Sequence, residues 1–136
     1  MIPGPPFAHG KPLMPIKKIL IVDDSPTERH YLHEILSKGG FEVVTSDSGE
    51  DALVKARSLQ PDLILMDVVM PGMNGFQATR AITRDESTKN IPVLICTTKS
   101  QETDRIWGLR QGAKDYMVKP IQSEALLKKI AAMGSH

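Results

Sequence analysis

Apolar residues along this chain fall into two alternating patterns. Short aliphatic or β-branched runs occur at "KKILIV" (17–22), "FEVVTS" (41–46), "DLILM" (62–66), "IPVLICTT" (91–98) and "KDYMVK" (114–119). Each has strand length and is bounded by turn residues. Between them lie "SPTERHYLHEILSKGG" (25–40), "GEDALVKARSLQ" (49–60), "GFQATRAITRD" (75–85), "QETDRIWGLRQG" (101–112) and "SEALLKKIAAM" (123–133), which read as helices. The first of these carries its own boundary signals: Ser25 as N-cap, Pro26 at the first helical position, Glu28 closing a capping box, and Gly39 or Gly40 as the stop. Tyr31, Leu32, Ile35 and Leu36 supply its apolar stripe.

Five strands strictly alternating with five helices predict an α/β fold with a parallel sheet, because parallel neighbours need crossovers and helices provide them. Right-handed crossovers put helices on both faces of an open, doubly wound sheet. Five units are too few for an eight-stranded barrel. In such sheets ligands bind beyond the carboxyl ends of the strands. Those ends carry Asp23 and Asp24 after the first strand, Asp67 after the third, Thr97 and Thr98 after the fourth, and Lys119 and Pro120 after the fifth.

Composition narrows the setting. At 136 residues the chain accommodates one domain with a proper core. A formal net charge of +1 argues against non-specific nucleic-acid binding. The single cysteine, Cys96, excludes an internal disulfide framework and suits a reducing compartment. No apolar stretch approaches the ~20 residues of a spanning helix, and no signal peptide is evident, so a cytoplasmic protein without membrane insertion is expected. Residues 1–15, "MIPGPPFAHGKPLMP", contain five prolines and no periodicity, and are expected to be a disordered extension. Residues 16–132 form the expected domain and 133–136 a tail, with "GSH" a cloning remnant; Met14 is a candidate natural start.

The strand ends carry the chemistry. Any one Asp or Lys there reads as an ordinary loop residue, but four separate loops placing complementary groups together argue for a site. Clustered carboxylates repel, which raises at least one pKa unless a cation compensates. Oxygen-only ligands favour a hard ion, and Mg²⁺ is the abundant one. A carboxylate beside Mg²⁺, a lysine and a hydroxyl can accept a phosphoryl group covalently. Asp67 is the best nucleophile, since it ends the buried central strand.

"ILIVDD", "LILMDVVMPGMNG", the Thr97-Thr98 pair and "GAKDYMVKP" together resemble the receiver domain of bacterial two-component response regulators, over residues 16 to about 132. Asp67 to Thr97 is thirty residues and Asp67 to Lys119 fifty-two, as is normal for receivers. The resemblance implies a flavodoxin-like, CheY-like sheet of strand order 2-1-3-4-5. It implies that Asp67 is the phosphoacceptor and that Asp24 and Asp67 ligate Mg²⁺ directly. Asp23 would contribute directly or through water, and the backbone carbonyl of Val69 would be a further ligand. Thr97 would be the switch hydroxyl, Lys119 would pair with phosphoryl oxygens, and Tyr116 would turn inward when Thr97 moves. A cis Lys119–Pro120 bond goes with it. The implied donor is a histidine kinase or histidine phosphotransfer domain, and the implied output is binding of a downstream protein rather than an enzyme activity. "DDSPTE", "NGFQATRAITRD" and "TTKSQETDRIWGLRQGAKDY" further resemble the PilH-type single-domain receivers of type IV pilus twitching-motility systems.

Two features depart from the commonest receiver pattern. Thr98 stands where a small residue is usual, and Lys99 comes next. With Val69 on the other side of the rim, slow self-dephosphorylation is expected. Trp107 reads either as packed against a strand or as an aromatic anchor on the output surface. His30 and His33 lack a third ligand and read as surface residues. Cys96 reads as inert core, and Gly72 and Gly75 as servants of the turn that exposes Asp67. Competing readings are a receiver cut from a larger regulator, a scaffold that keeps the fold without phosphorylation, a flavin module and an aspartyl-phosphate phosphatase. The phosphatase would want a second Asp at position 69, and the flavin module a hydroxyl-rich phosphate loop where Asp23 and Asp24 stand. A DNA-binding regulator would need a helix-turn-helix or a basic patch, and neither is present.

Overall fold

A computed structural model describes residues 15–134. Its elements strictly alternate: β1 (Lys18–Val22), α1 (Pro26–Lys38), β2 (Glu42–Ser46), α2 (Gly49–Leu59), β3 (Leu63–Met66), α3 (Gly75–Arg84), β4 (Val93–Thr97), α4 (Glu102–Arg110), β5 (Asp115–Val118) and α5 (Ser123–Gly134). The strands form one parallel sheet in the order β2-β1-β3-β4-β5. Both the doubly wound class and the strand order match the sequence reading.

The three inner strands are buried on both faces, which is why they read as continuous apolar runs. Ile19, Ile21, Leu63, Leu65, Leu94 and Cys96 face one side, where Leu32 and Leu36 of α1 and Leu126 and Ile130 of α5 cover them. Leu20, Val22, Ile64, Met66, Val93 and Ile95 face the other, against Ala52 and Ala56 of α2 and Phe76, Ala78 and Ile82 of α3. No helix among the described residues is long and apolar enough to cross a membrane.

Three local expectations change. α5 runs one residue past the helix expected over 123–133, ending at Gly134, which packs beside Ile16. The expected extension, apart from Pro15, lies outside the described residues, as do Ser135 and His136. Tyr31 is mostly turned out of the apolar stripe, and its hydroxyl donates to the Ile121 carbonyl after β5, a polar tip finding a partner beyond the core. Ser25 does cap α1 through the Glu28 N–H, but the capping box does not close, because Asp23 Oδ1 has taken the Ser25 N–H at 2.9 Å.

Candidate functional site

The hydrogen-bond ladder of the sheet runs one residue past the carboxyl ends of β1, β3 and β5. The Asp23 N–H donates to the Ser46 carbonyl at 3.0 Å, the Asp67 N–H to Val22 at 2.9 Å, and the Lys119 N–H to Thr97 at 2.8 Å. Asp23, Asp67 and Lys119 are therefore set in position by backbone hydrogen bonds between neighbouring strands. The peptide bond from Lys119 to Pro120 is cis.

These groups converge. Asp23, Asp24 and Asp67 each offer a carboxylate oxygen within 4.8 Å of the others. Asp23 is 2% exposed and Asp67 7%, while Asp24 opens to solvent. Lys119 Nζ stands 2.7 Å from Asp23 Oδ2 and 3.7 Å from Asp67 Oδ1. Asp67 Oδ1 also accepts the Val68 N–H at 2.9 Å. Thr97 is fully buried; its hydroxyl faces Asp67 and accepts the Lys99 N–H at 3.3 Å. The donor set is all oxygen, which suits a hard divalent cation such as Mg²⁺.

Charge is only partly balanced here. Burial pushes the Asp67 carboxyl above the ordinary carboxylate range, and the Asp23 charge adds to the rise; Lys119, the Val68 N–H and the Thr97 hydroxyl offset part of it. Burial pulls the Lys119 ammonium down, but its hydrogen bond to Asp23 and the charges of Asp23, Asp67 and Glu28 more than reverse that, so it is raised. A cation held beside Asp67 would relieve this repulsion.

Past Asp67 the chain turns sharply. Gly72 sits at φ +75°, a conformation that favours glycine. Gly75 has a different reason: a Cβ there would run into the Asp67 carbonyl and approach Val68 Cα to 2.7 Å. Glu50 Oε2 of α2 accepts the Met73 N–H at 3.3 Å and ties down the same loop. Val69 lies on its outer side with an exposed side chain.

Tyr116, which the sequence reading expects to turn inward only when Thr97 moves, is already packed inward, and its hydroxyl donates to the Lys99 carbonyl at 2.8 Å. Thr98 and Lys99 are exposed, with Lys99 Nζ 4.0 Å from Asp104. Trp107 is half exposed; its neighbour Gly108 makes the close contact, where a Cβ would lie 2.8 Å from Ile95 and 3.2 Å from the Tyr116 ring. His30 and His33 are outside the carboxylate cluster, and His33 Nδ1 pairs with Ser37 Oγ at 3.3 Å. Cys96 is buried beside Thr97, its thiol pushed up to about 12 by burial, which makes it inert. Two site neighbours escape sequence reading. Glu28 comes within 3.9 Å of Lys119, and Arg29 Nη1 donates to the Asp23 carbonyl at 2.7 Å.

Comparison with known proteins gives a consistent result. The family description "response regulator receiver domain" fits residues 19–131. Protein PilH of Pseudomonas aeruginosa is 56% identical over 116 residues, covering 85% of this chain and 96% of that protein. The transcriptional regulatory protein AfsQ1 of Streptomyces coelicolor is 38% identical over 85% of this chain, which spans 50% of that longer relative. Among solved structures, the chemotaxis protein CheY4 of Vibrio cholerae superposes with a TM-score of 0.81 at 36% identity, over 86% of this chain and 98% of that one. A CheX–CheY–BeF3–Mg²⁺ complex from Borrelia burgdorferi gives a TM-score of 0.81 at 28% identity, over 86% and 88%.

Proposed function

The chain belongs to the response regulator receiver family, and on that premise we propose that it signals by accepting a phosphoryl group on Asp67 from a histidine kinase or histidine phosphotransfer domain. The observation that carries this reading is the meeting of three carboxylates within 4.8 Å with Lys119 3.7 Å from Asp67. In the transfer, an Asp67 oxygen attacks the phosphorus of a phosphohistidine. The new P–O bond forms as the P–N bond breaks, and the imidazole keeps the electron pair and takes a proton from solvent. Asp23, Asp24, Asp67 and the Val69 carbonyl would hold Mg²⁺, which supplies positive charge for the transferring oxygens. Lys119 shifts from Asp23 towards the phosphoryl oxygens. The Thr97 hydroxyl donates to one of them, and Tyr116 stays packed behind it.

The added negative charge then favours one arrangement of the loop from Thr97 to Lys99 and of the α4–β5 surface, where Ile106, Trp107 and Val118 are exposed. Output is the altered affinity of that surface for a downstream protein. Likeness to PilH supports a role in type IV pilus twitching or a chemotaxis-like system.

The test is acetyl phosphate with and without Mg²⁺, followed by intact mass and Trp107 fluorescence, in wild type and Asp67→Asn. A Mg²⁺-dependent gain of one phosphoryl mass, absent in the variant, is expected. No adduct from acetyl phosphate or from a phosphorylated kinase would replace this reading with that of a phosphorylation-independent scaffold. Val69, two residues after Asp67, and Thr98 and Lys99, which follow Thr97, are exposed and support slow hydrolysis. The adduct is expected to last minutes or longer after the donor is removed, and a half-life of seconds would contradict that.

A further inference from the structure

Glu28, in the first turn of α1, is a carboxylate that the chemistry above leaves unused. A capping-box side chain at this position returns to the N-cap N–H, yet the Ser25 N–H is already bound to Asp23 Oδ1 at 2.9 Å. The Ser25 hydroxyl accepts the Glu28 N–H at 3.2 Å, so the turn is satisfied without the Glu28 side chain. That side chain instead reaches the site, with Oε1 3.9 Å from Lys119 Nζ. It is 33% exposed where Lys119 is 10%, which places it on the solvent side of the ammonium. It does not belong to the cluster of Asp23, Asp24 and Asp67 oxygens. Four carboxylates thus stand against Lys119 and Arg29, and Glu28 is the one that neither the metal ligands nor the helix cap needs.

We propose that Glu28 determines donor selectivity: its carboxylate repels small phosphodonor anions and competes with them for Lys119. A protein donor escapes this penalty by presenting a cationic side chain to Glu28 as it docks. The inference rests on Asp67 being the phosphoacceptor. It makes Glu28 a positioning and screening group, not a participant in bond making.

The experiment measures the rate of phosphorylation by acetyl phosphate, at saturating Mg²⁺, in wild type, Glu28→Gln and Glu28→Asp. At low ionic strength Glu28→Gln is expected to react roughly three- to tenfold faster, the scale of removing one charge within a screening length of the donor's path. The gain should shrink markedly in roughly 0.5 M salt, where the screening length falls to about 4 Å. Glu28→Asp, which keeps the charge, should remain slow. Transfer from a phosphorylated histidine phosphotransfer domain should not be accelerated by Glu28→Gln. Equal wild-type and Glu28→Gln rates at low salt, a gain that survives high salt, or equal acceleration with both donors would overturn the inference while leaving Asp67 phosphorylation intact. If no variant takes a phosphoryl group from either donor, the Asp67 reading fails and this inference falls with it.

Discussion

At the amino edge of the sheet, Asp62 Oδ2 accepts the N–H groups of Lys17 and Lys18 at 2.9 Å each, and Asp115 stands 2.7 Å from Lys129 Nζ. At the carboxyl edge, Asp23 and Asp67 share one ammonium and face each other and Asp24. The consequences have opposite sign. Burial raises Asp115, but Lys129 and the Tyr116 N–H outweigh it and hold the carboxyl below its ordinary value. Burial and Asp23 raise Asp67 above that value despite Lys119. A carboxylate that stabilises the fold has its own donors; the receiver's site keeps negative charge in surplus, which a divalent cation would offset.

The largest expected effect comes from breaking the backbone that holds this surplus in place. Gly75→Ala puts a methyl group into the Asp67 main chain, where no flexible side chain can yield. A loss of about 3 kcal/mol is expected from such overpacking, together with loss of phosphorylation. Urea unfolding and the acetyl phosphate assay check it, and a variant of wild-type stability would mean the β3–α3 loop shifts freely. Lys119→Met is next. It removes the ammonium nearest Asp23 and Asp67, and about 2 kcal/mol should go, less than for a pair sealed from solvent because Asp24 opens the cluster to water. Millimolar Mg²⁺ should restore part of that loss by linkage. A loss untouched by Mg²⁺ would detach the lysine's role from the charge balance of the cluster.

Asp67→Asn should act in the other direction. It removes a buried charge that the folded state disfavours, so the melting temperature in metal-free buffer at neutral pH should rise, by less than Lys119→Met lowers it. Added Mg²⁺ should then stabilise wild type more than the variant. Thermal denaturation with and without chelator checks both. A variant less stable than wild type without metal would show that Asp67 is as well matched as Asp115, and the contrast between the two edges would collapse.

Much of this is legible in the residues because the physics is local or periodic. Runs buried on both faces, alternating with helical stretches, dictate a parallel sheet, and such a sheet gathers its strand ends along one edge. Asp23, Asp24, Asp67, Thr97 and Lys119 can be grouped on that ground without any distance. The features that escape reading depend on competition between partners remote in sequence or hidden in a turn. Glu28 has the spacing of a capping box, but whether it or Asp23 takes the Ser25 N–H is decided by where the end of β1 points. Gly75 reads as a turn residue, yet its constraint is the approach of the Asp67 backbone, eight positions away. Trp107 reads equally as core or surface; the tight packing of Gly108 on Ile95 and Tyr116 puts the indole half outside.

The smallest effect tests the matched side of the contrast. Asp85, at the end of α3, accepts the Ser87 hydroxyl and N–H at 2.8 Å each and Arg57 of α2 at 2.7 Å. The Ser87 hydroxyl first, then its N–H and Arg57, hold the carboxyl at about 2. A carboxylate depressed in the folded state contributes stability that is fully present above the unfolded value, near ~3.9, and is lost as pH falls through the folded value. Ser87→Ala should therefore cost a small, constant amount of stability above about pH 4, and the gap to wild type should close as pH falls towards about 2. Urea midpoints measured across that range decide it. Because Asp85 is only partly covered and its partner Arg57 is exposed, salt should narrow the gap as well. A gap that widened in acid would mean the Ser87 hydroxyl serves the protonated form, and Asp85 would then belong with Asp67 rather than opposite it.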